Sequence, residues 1–156
     1  RVIEDAVMQG YTVAWGGDVS EKGFTRDGLA ILYDIETPQG IEGSDMARWL
    51  KLTSLEKGNQ VAKLGFEAKE LTPSQEQRQK EYDNWELTDD HGMLIYGIAK
   101  DQNGRKYYMV KNSWGDMGSY KGTWYMTENF IIAKCMDIMV NKNAIPKDIA
   151  KKINIK

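Results

Sequence analysis

One pair of residues in the chain, His91 and Asn112, could support proton transfer, with the histidine carrying the proton and the asparagine orienting its ring. An imidazole gains and loses a proton near neutral pH, and a neutral asparagine oxygen can accept a hydrogen bond from one ring nitrogen. Such a bond fixes the tautomer and leaves the other nitrogen free for chemistry. Asparagine also leaves the imidazolium without a counter-ion of its own, which suits a histidine that pairs with a thiolate. His91 is the one histidine of the chain, and the alternative is a histidine without a chemical role.

A predicted β-hairpin would bring these two residues together. The strand-like segments 93–99 and 106–110 flank Asp101-Gln102-Asn103-Gly104, and Asn-Gly favours a tight turn between strands. With a four-residue loop, position 93 pairs with position 112, so that His91 lies two residues, roughly 7 Å, from register. The sequence therefore predicts an imidazole beside a carboxamide at one rim of a sheet.

Two short motifs surround the candidate pair. They are Asp89-Asp90-His91-Gly92-Met93 and Lys111-Asn112-Ser113-Trp114-Gly115. They resemble the histidine and asparagine blocks of papain-like cysteine peptidases, whose active site is Cys-His-Asn. The similarity extends to Gly118, to Lys121-Gly122 and back to the segment 11–18, so that it covers most of residues 10–150. The wide gap between segment 11–18 and His91 favours the bleomycin hydrolase and aminopeptidase C type.

The resemblance implies a role for each residue of the motifs. His91 would be the base and acid partner of a cysteine, Asn112 would orient its ring, and Trp114 would shield their hydrogen bond. In the resembled family the C-terminal carboxylate helps to hold the amino terminus of the peptide substrate, which makes Lys156 a candidate anchoring residue. The family also implies a homo-hexamer, and we expect no cofactor.

Two parts of the family pattern have no counterpart in the sequence: the Cys-Trp segment with the nucleophile, and the glutamine of the oxyanion hole. Together with the start at Arg1, this predicts the C-terminal half of a cysteine aminopeptidase. Its partner would be an N-terminal half with the catalytic cysteine, without which the fragment is inactive. The alternatives are a non-catalytic papain-like scaffold that acts as a binding module, and an unrelated sheet domain with the motif by chance.

Other candidate sites are less well supported. The one cysteine, Cys135, lies in an apolar run after both blocks, where a buried thiol stays protonated and packs in the core. Asp89, Asp90 and His91 could be metal ligands, but neighbours in an extended segment point to opposite faces. Gly16-Gly17-Asp18 is too short for a phosphate loop and predicts a turn or bulge.

The remaining pattern predicts an α+β fold: an antiparallel sheet, either open or curled into a barrel, with helices at its edges. At 156 residues we expect one domain, the barrel half of a papain-like fold, with a turn-rich insertion at about 20–90. Within the insertion we expect an almost wholly polar helix at 73–83, with Pro73 at its first position, which lies on the surface or packs against a partner outside this chain. The other expected elements are helices at 2–9 and 44–56, strands at 11–18, 122–126 and 137–140, a helix capped by Thr127 that carries Ile131, Ile132 and Cys135, and a proline-started helix at 146–153.

Composition excludes several classes of partner. With 21 basic and 23 acidic residues, the chain lacks the positive charge that nucleic acids or anionic membranes attract. No stretch approaches the roughly 18 apolar residues that span a bilayer, and Arg1 to Asp5 do not resemble a signal peptide. A single cysteine excludes a disulfide within the chain and argues for a reducing compartment, for which we expect the cytoplasm.

Overall fold

The fold is built on one open sheet of six strands. The computed structural model describes residues 1–37 and 40–155. The strands are β1 Val13–Gly17, β2 Leu29–Ala30, β3 His91–Lys100, β4 Lys106–Lys111, β5 Thr123–Thr127 and β6 Cys135–Val140, in the order β2-β5-β4-β3-β1-β6. All neighbours are antiparallel except β2 and β5, which run parallel.

In residues 1–37 and 40–155, six α-helices and two short 3-10 turns accompany the sheet. The helices are α1 Val2–Met8, α2 Gly43–Trp49, α3 Ser54–Ala62, α4 Gln75–Asp83, α5 Glu128–Lys134 and α6 Lys147–Lys152, and the 3-10 turns are Gly65–Glu67 and Lys142–Ala144. The predicted α+β class is confirmed. No helix in the described part of the chain is long and apolar enough to cross a bilayer.

The two faces of the sheet differ in burial. Side chains alternate along a strand, and one face packs into the core against α1 and α5; it includes Val13, Ile95, Val110 and Trp124. The opposite face carries Ala14, Leu94, Lys111 and Met139, which are all exposed. This exposed face ends at the rim where β3 begins and β4 ends.

The segment predicted as an insertion contributes to the core. Residues 29–33 are buried, and Leu29, Ile31 and Tyr33 form a second apolar cluster with Trp49 of α2 and Tyr107 of β4. The expectation that this segment lies outside the core is therefore wrong for residues 29–33. A short apolar run is buried on both sides here, and the frequent turn signals around it hid that pattern. The domain assignment itself stays a prediction.

The single helix predicted at 44–56 is wrong, because the chain forms two helices there. α2 ends at Trp49, and α3 begins after Thr53, whose hydroxyl accepts a hydrogen bond from the Glu56 backbone N–H at 3.3 Å. The Glu56 carboxylate in turn accepts from the Thr53 N–H at 2.8 Å. This capping box starts a new helix inside the predicted one. Pro38 and Gln39, which the sequence Pro38-Gln39-Gly40 predicts to lie in a turn, are outside the described residues.

Helix α4 lies on the surface, as its polar sequence predicts. It has no buried residue, and Ser74 caps it by accepting from the Gln77 N–H at 3.0 Å, so Pro73 precedes the helix rather than opening it. Arg78 holds the helix in place by donating to the backbone oxygens of Ala133 at 3.3 Å and Cys135 at 2.6 Å.

The C-terminal elements follow the prediction with one correction. Thr127 caps α5 by accepting from the Phe130 N–H at 3.2 Å. Cys135 is the first residue of β6, not part of α5, because its backbone is extended, with φ −71° and ψ 124°.

Candidate active site

The β3–β4 hairpin brings His91 and Asn112 to the same rim of the sheet. Its loop has five residues rather than the predicted four, because Lys100 pairs with Lys106. A bulge at Tyr96 compensates for the extra residue, and Leu94 pairs with Lys111, the predicted register. His91 Nε2 and Asn112 Oδ1 lie 2.8 Å apart.

A second hydrogen bond fixes the orientation of the Asn112 amide. The Ser113 backbone N–H donates to Asn112 Oδ1 at 2.7 Å. Since a backbone N–H can only donate, the atom between Ser113 and His91 must be the oxygen. Nε2 of His91 then carries the proton of the shared hydrogen bond. Nδ1, the other ring nitrogen, has no hydrogen-bond partner within residues 1–37 and 40–155 and is free to accept a proton.

Trp114 lies against the His91 ring. The ring centroids are 4.9 Å apart with a 41° tilt, and the indole also makes edge contacts with Phe24 and Trp124. Asn112 is only 3% exposed, whereas Trp114 is 41% exposed. The indole therefore covers one side of the imidazole while its own outer side faces solvent.

Asp18 is a positioning residue that the sequence reasoning missed. It is 1% exposed and accepts from the backbone N–H groups of Ser20 at 2.8 Å and Thr88 at 3.0 Å. Burial alone would raise the pKa of Asp18, but the hydrogen bonds from Ser20 and Thr88 outweigh it and lower the pKa. The carboxylate thus ties the end of β1 to the segment that leads into His91. An aspartate followed two residues later by serine was the available signal, since such side chains bind nearby backbone groups.

His91 and Asn112 line an open cleft of about 720 Å³. The cleft is also lined by Trp15, Gly16, Asp89, Asp90, Met93, Asp137 and Met139, among others. Asp90 is held by the Val19 N–H, which donates to its carboxylate at 3.1 Å. Among the described residues, no group of three His, Cys, Asp or Glu side chains could hold a metal ion.

The predicted bulge at Gly16-Gly17 is confirmed. The β1–β6 register shifts between these two glycines. Gly17 pairs with His91 on one side and with Cys135 on the other, so that β1 separates the thiol from the imidazole.

Cys135 is the one cysteine of the chain, and its thiol is poorly suited to attack a substrate carbonyl. Burial raises its pKa to about 11; Arg78 acts in the opposite direction, and the Asp137 carboxylate adds to the increase. The thiol points to the backbone oxygen of Asp137 at 3.4 Å. It therefore stays protonated at neutral pH. Lys156, the candidate anchoring residue, lies outside the described residues.

Similarity to known proteins agrees with the motifs. The profile of the Peptidase C1-like family matches residues 63–156, which include His91 and Asn112. Cysteine proteinase 1, mitochondrial, of Saccharomyces cerevisiae is 36% identical over 64 residues, which cover 40% of this chain and 13% of the yeast protein. Aminopeptidase C of Lactobacillus helveticus is 28% identical over 69 residues, covering 44% of this chain and 15% of that protein. The chain thus spans only a small part of these relatives.

A solved structure shares the fold along nearly the whole chain. The crystal structure of PepW from Lactobacillus rhamnosis superposes with a TM-score of 0.57 at 19% identity, covering 98% of this chain and 29% of PepW. The match shows that this fold occurs as part of a larger polypeptide. Taken with the family profile and the aminopeptidase relatives, it confirms the resemblance seen in the sequence: the chain belongs to the Peptidase C1-like family of papain-like cysteine peptidases.

Proposed function

We propose that the chain supplies the histidine and asparagine of a Cys-His-Asn site in a cysteine aminopeptidase. The observation that carries the proposal is the 2.8 Å contact between His91 Nε2 and Asn112 Oδ1, with the amide orientation fixed by Ser113. The nucleophilic thiol comes from a segment outside these 156 residues, since Cys135 is the only cysteine and holds its proton. The names of the aminopeptidase relatives support the reaction class.

In this mechanism His91 Nδ1 moves the protons. It takes the proton of the thiol, and the imidazolium remains hydrogen-bonded through Nε2–H to Asn112. The thiolate attacks the substrate carbonyl carbon, and the amine leaves with the proton from Nδ1. Water then attacks the thioester carbon and gives a proton to Nδ1, and the C–S bond breaks, which regenerates the enzyme's thiolate and releases the carboxylic acid product. Asn112 stays neutral throughout and keeps the ring in one orientation.

The exposed face of the sheet is where we place the nucleophile-bearing segment. Met139, Ala14 and Leu94 form one row across β6, β1 and β3, and Tyr96 lies farther along β3. Met139 is 77% exposed, Tyr96 40% and Leu94 39%. Adjacent apolar side chains on a sheet face favour contact with another apolar surface. A segment packed there would reach the cleft, since Leu94 and Met139 also line it.

The competing function is a non-catalytic scaffold that binds a partner through the same face. It needs no nucleophile, and its sheet would look the same. The two functions differ in whether His91 Nδ1 transfers a proton during catalysis. A cytoplasmic location, a peptide substrate with a free amino terminus and a hexameric assembly all remain predictions.

Acyl transfer measured in three proteins tests the proposal. The chain alone should not hydrolyse aminoacyl anilides, because His91 and Asn112 can activate a thiol but cannot replace it. In the full-length enzyme, His91→Ala should reduce the rate of single-turnover acylation by about 10²-fold to 10⁴-fold. Asn112→Ala should reduce it about tenfold to a hundredfold, because a hydrogen bond to a charged group contributes about 1.5–3 kcal/mol.

Asn103→Ala provides a matched control, since Asn103 lies in the hairpin loop at the opposite end of the strands. Its acylation rate should equal that of the unaltered enzyme. Turnover by the chain alone that disappears on alkylation of Cys135 would contradict the assignment of the nucleophile. Full rates in both His91→Ala and Asn112→Ala would leave only the scaffold function.

A further inference from the structure

Lys134, the last residue of α5, is a buried lysine held between two carboxylates. Its side chain is 3% exposed, and its Nζ lies 2.5 Å from Glu21 Oε1 and 3.1 Å from Glu81 Oε2. Glu81 is itself held in place, because Gln77 Nε2 donates to its other carboxylate oxygen at 2.8 Å. A buried charge is stable only with partners of this kind. The three charged side chains therefore connect α5, α4 and the loop of residues 18–22 that follows β1.

The loop that carries Glu21 also carries Asp18, which holds the segment before His91. The Asp18 backbone N–H donates to the backbone oxygen of Lys134 at 3.0 Å. The Asp18 carboxylate accepts from the Thr88 backbone N–H, also at 3.0 Å. Hydrogen bonds thus run from the end of α5 through this loop to the segment that leads directly into His91.

The ammonium group of Lys134 also acts on Asp18 through its charge. Burial raises the pKa of Asp18, whereas its hydrogen bonds and the positive charge of Lys134 lower it. Without that ammonium, the carboxylates of Asp18, Glu21 and Glu81 would repel one another in a poorly solvated region. The loop would then move away from α4 and weaken the hydrogen bond between Asp18 and Thr88.

We infer that Lys134 is a positioning residue, which keeps the His91 ring in place beside Asn112 by holding the loop of residues 18–22. It contacts neither the substrate nor the reacting atoms. The His91 Nε2 to Asn112 Oδ1 distance is 2.8 Å, so a displacement of about 1 Å would break this hydrogen bond. The inference rests on the proposed function, in which Nε2–H stays bonded to Asn112 and Nδ1 stays free.

A second lysine of the chain provides a matched control. Lys106 Nζ also lies between two glutamates, 3.1 Å from Glu4 Oε2 and 2.6 Å from Glu128 Oε1. It begins β4, at the end of the sheet opposite to His91. The side chains of Glu4 and Glu21 are also alike in exposure, at 40% and 41%. Each lysine and each exposed glutamate thus has a counterpart that is remote from the candidate site.

The tautomer of His91, measured by nitrogen-15 nuclear magnetic resonance, tests the inference. His91 is the only histidine, so its ring signals are assigned without ambiguity. With the ring neutral, the shifts of the two ring nitrogens give the ratio of Nε2–H to Nδ1–H molecules. In Lys134→Met this ratio should fall by at least about fivefold, the effect of losing one hydrogen bond. In Glu21→Gln, where Lys134 keeps Glu81, it should fall by about twofold.

The control variants are Lys106→Met and Glu4→Gln, which should leave the tautomer ratio unchanged. Urea unfolding of the same proteins separates stability from positioning: both lysine variants should unfold at lower urea, but only Lys134→Met should change the ratio. Should Lys134→Met fail to fold, the comparison of Glu21→Gln with Glu4→Gln decides.

An unchanged ratio in folded Lys134→Met, or an equal change in the lysine control, would overturn the positioning role. The same holds for the two glutamate variants where they decide. The tautomer ratio requires no nucleophile. A change specific to Lys134→Met in a chain whose full-length form is inactive would therefore refute the proposed function but not the positioning of His91.

Discussion

At the scale of single residues, only one of the two polar atoms in the Asn112 side-chain amide has hydrogen-bond partners within the described residues. Its oxygen accepts two hydrogen bonds, while its buried nitrogen has no acceptor within the described residues. A buried donor without a partner costs about 1–3 kcal/mol. The same amide holds His91, the proposed proton-transfer residue, in one tautomer. The group that the proposed function needs is therefore also the one that lowers the stability of the fold. An acceptor from another chain segment at this position would remove it.

Cys135 gives a pH-dependent test at this scale. Because burial raises its pKa to about 11, its thiolate at about pH 8 should be roughly a hundredfold rarer than that of a thiol of pKa about 9. We expect alkylation by iodoacetamide to be correspondingly slow in the folded chain and to accelerate until the pH passes 11. Mass spectrometry of timed samples measures the rate, and the chain unfolded in urea gives the reference. A rate that levels off near pH 9 would show an ordinary thiol instead.

At the scale of elements, the end of β1 is packed tightly against the last residue of α5. A Cβ atom at Gly17 would lie 2.2 Å from the Lys134 backbone oxygen and 2.5 Å from the Trp15 ring, whereas Gly92 on β3 has nothing within 4 Å. We expect Gly17→Ala to lower the free energy of unfolding by about 1–3 kcal/mol, since backbone must move to make room. Gly92→Ala is the matched control and should change stability little. Urea unfolding compares them, and coincident midpoints would disprove the close packing.

The same elements show what sequence can and cannot predict. Caps and turns such as Thr127 and Asn103-Gly104 act locally, so α5 and the hairpin were predicted from their own residues. The His91–Asn112 pairing was predicted although the loop length was wrong, because the bulge at Tyr96 restored the register. The bulge at Tyr96 depends on packing against neighbours and, unlike the bulge at Gly16-Gly17, leaves no local signal. Asp89 and Asp137 both lie next to Gly16, and this proximity was missed for a similar reason, since it arises from the pairing of β1 with β3 and β6.

At the scale of the whole molecule, the exposed sheet face should make the isolated chain associate. Met139, Leu94 and Tyr96 together present apolar surface of the kind that binds other apolar surfaces. We expect concentration-dependent dimers in sedimentation velocity and binding of a hydrophobic dye, both reduced by Met139→Lys. Met8→Lys is the control, because Met8 is 74% exposed but belongs to α1. A monomer at all concentrations, without dye binding, would favour a self-sufficient domain.

The central position of β1 has a consequence for the synthesis of the protein. Its partners β3 and β6 begin at His91 and Cys135, far later in the chain. While a ribosome makes the chain from its amino end, both edges of β1 stay unpaired until those later strands emerge. Unpaired strand edges are templates for aggregation, and sheets with such distant contacts fold slowly. The nascent chain should therefore depend on chaperones until β6 has left the ribosome, and truncation before Cys135 should yield insoluble protein.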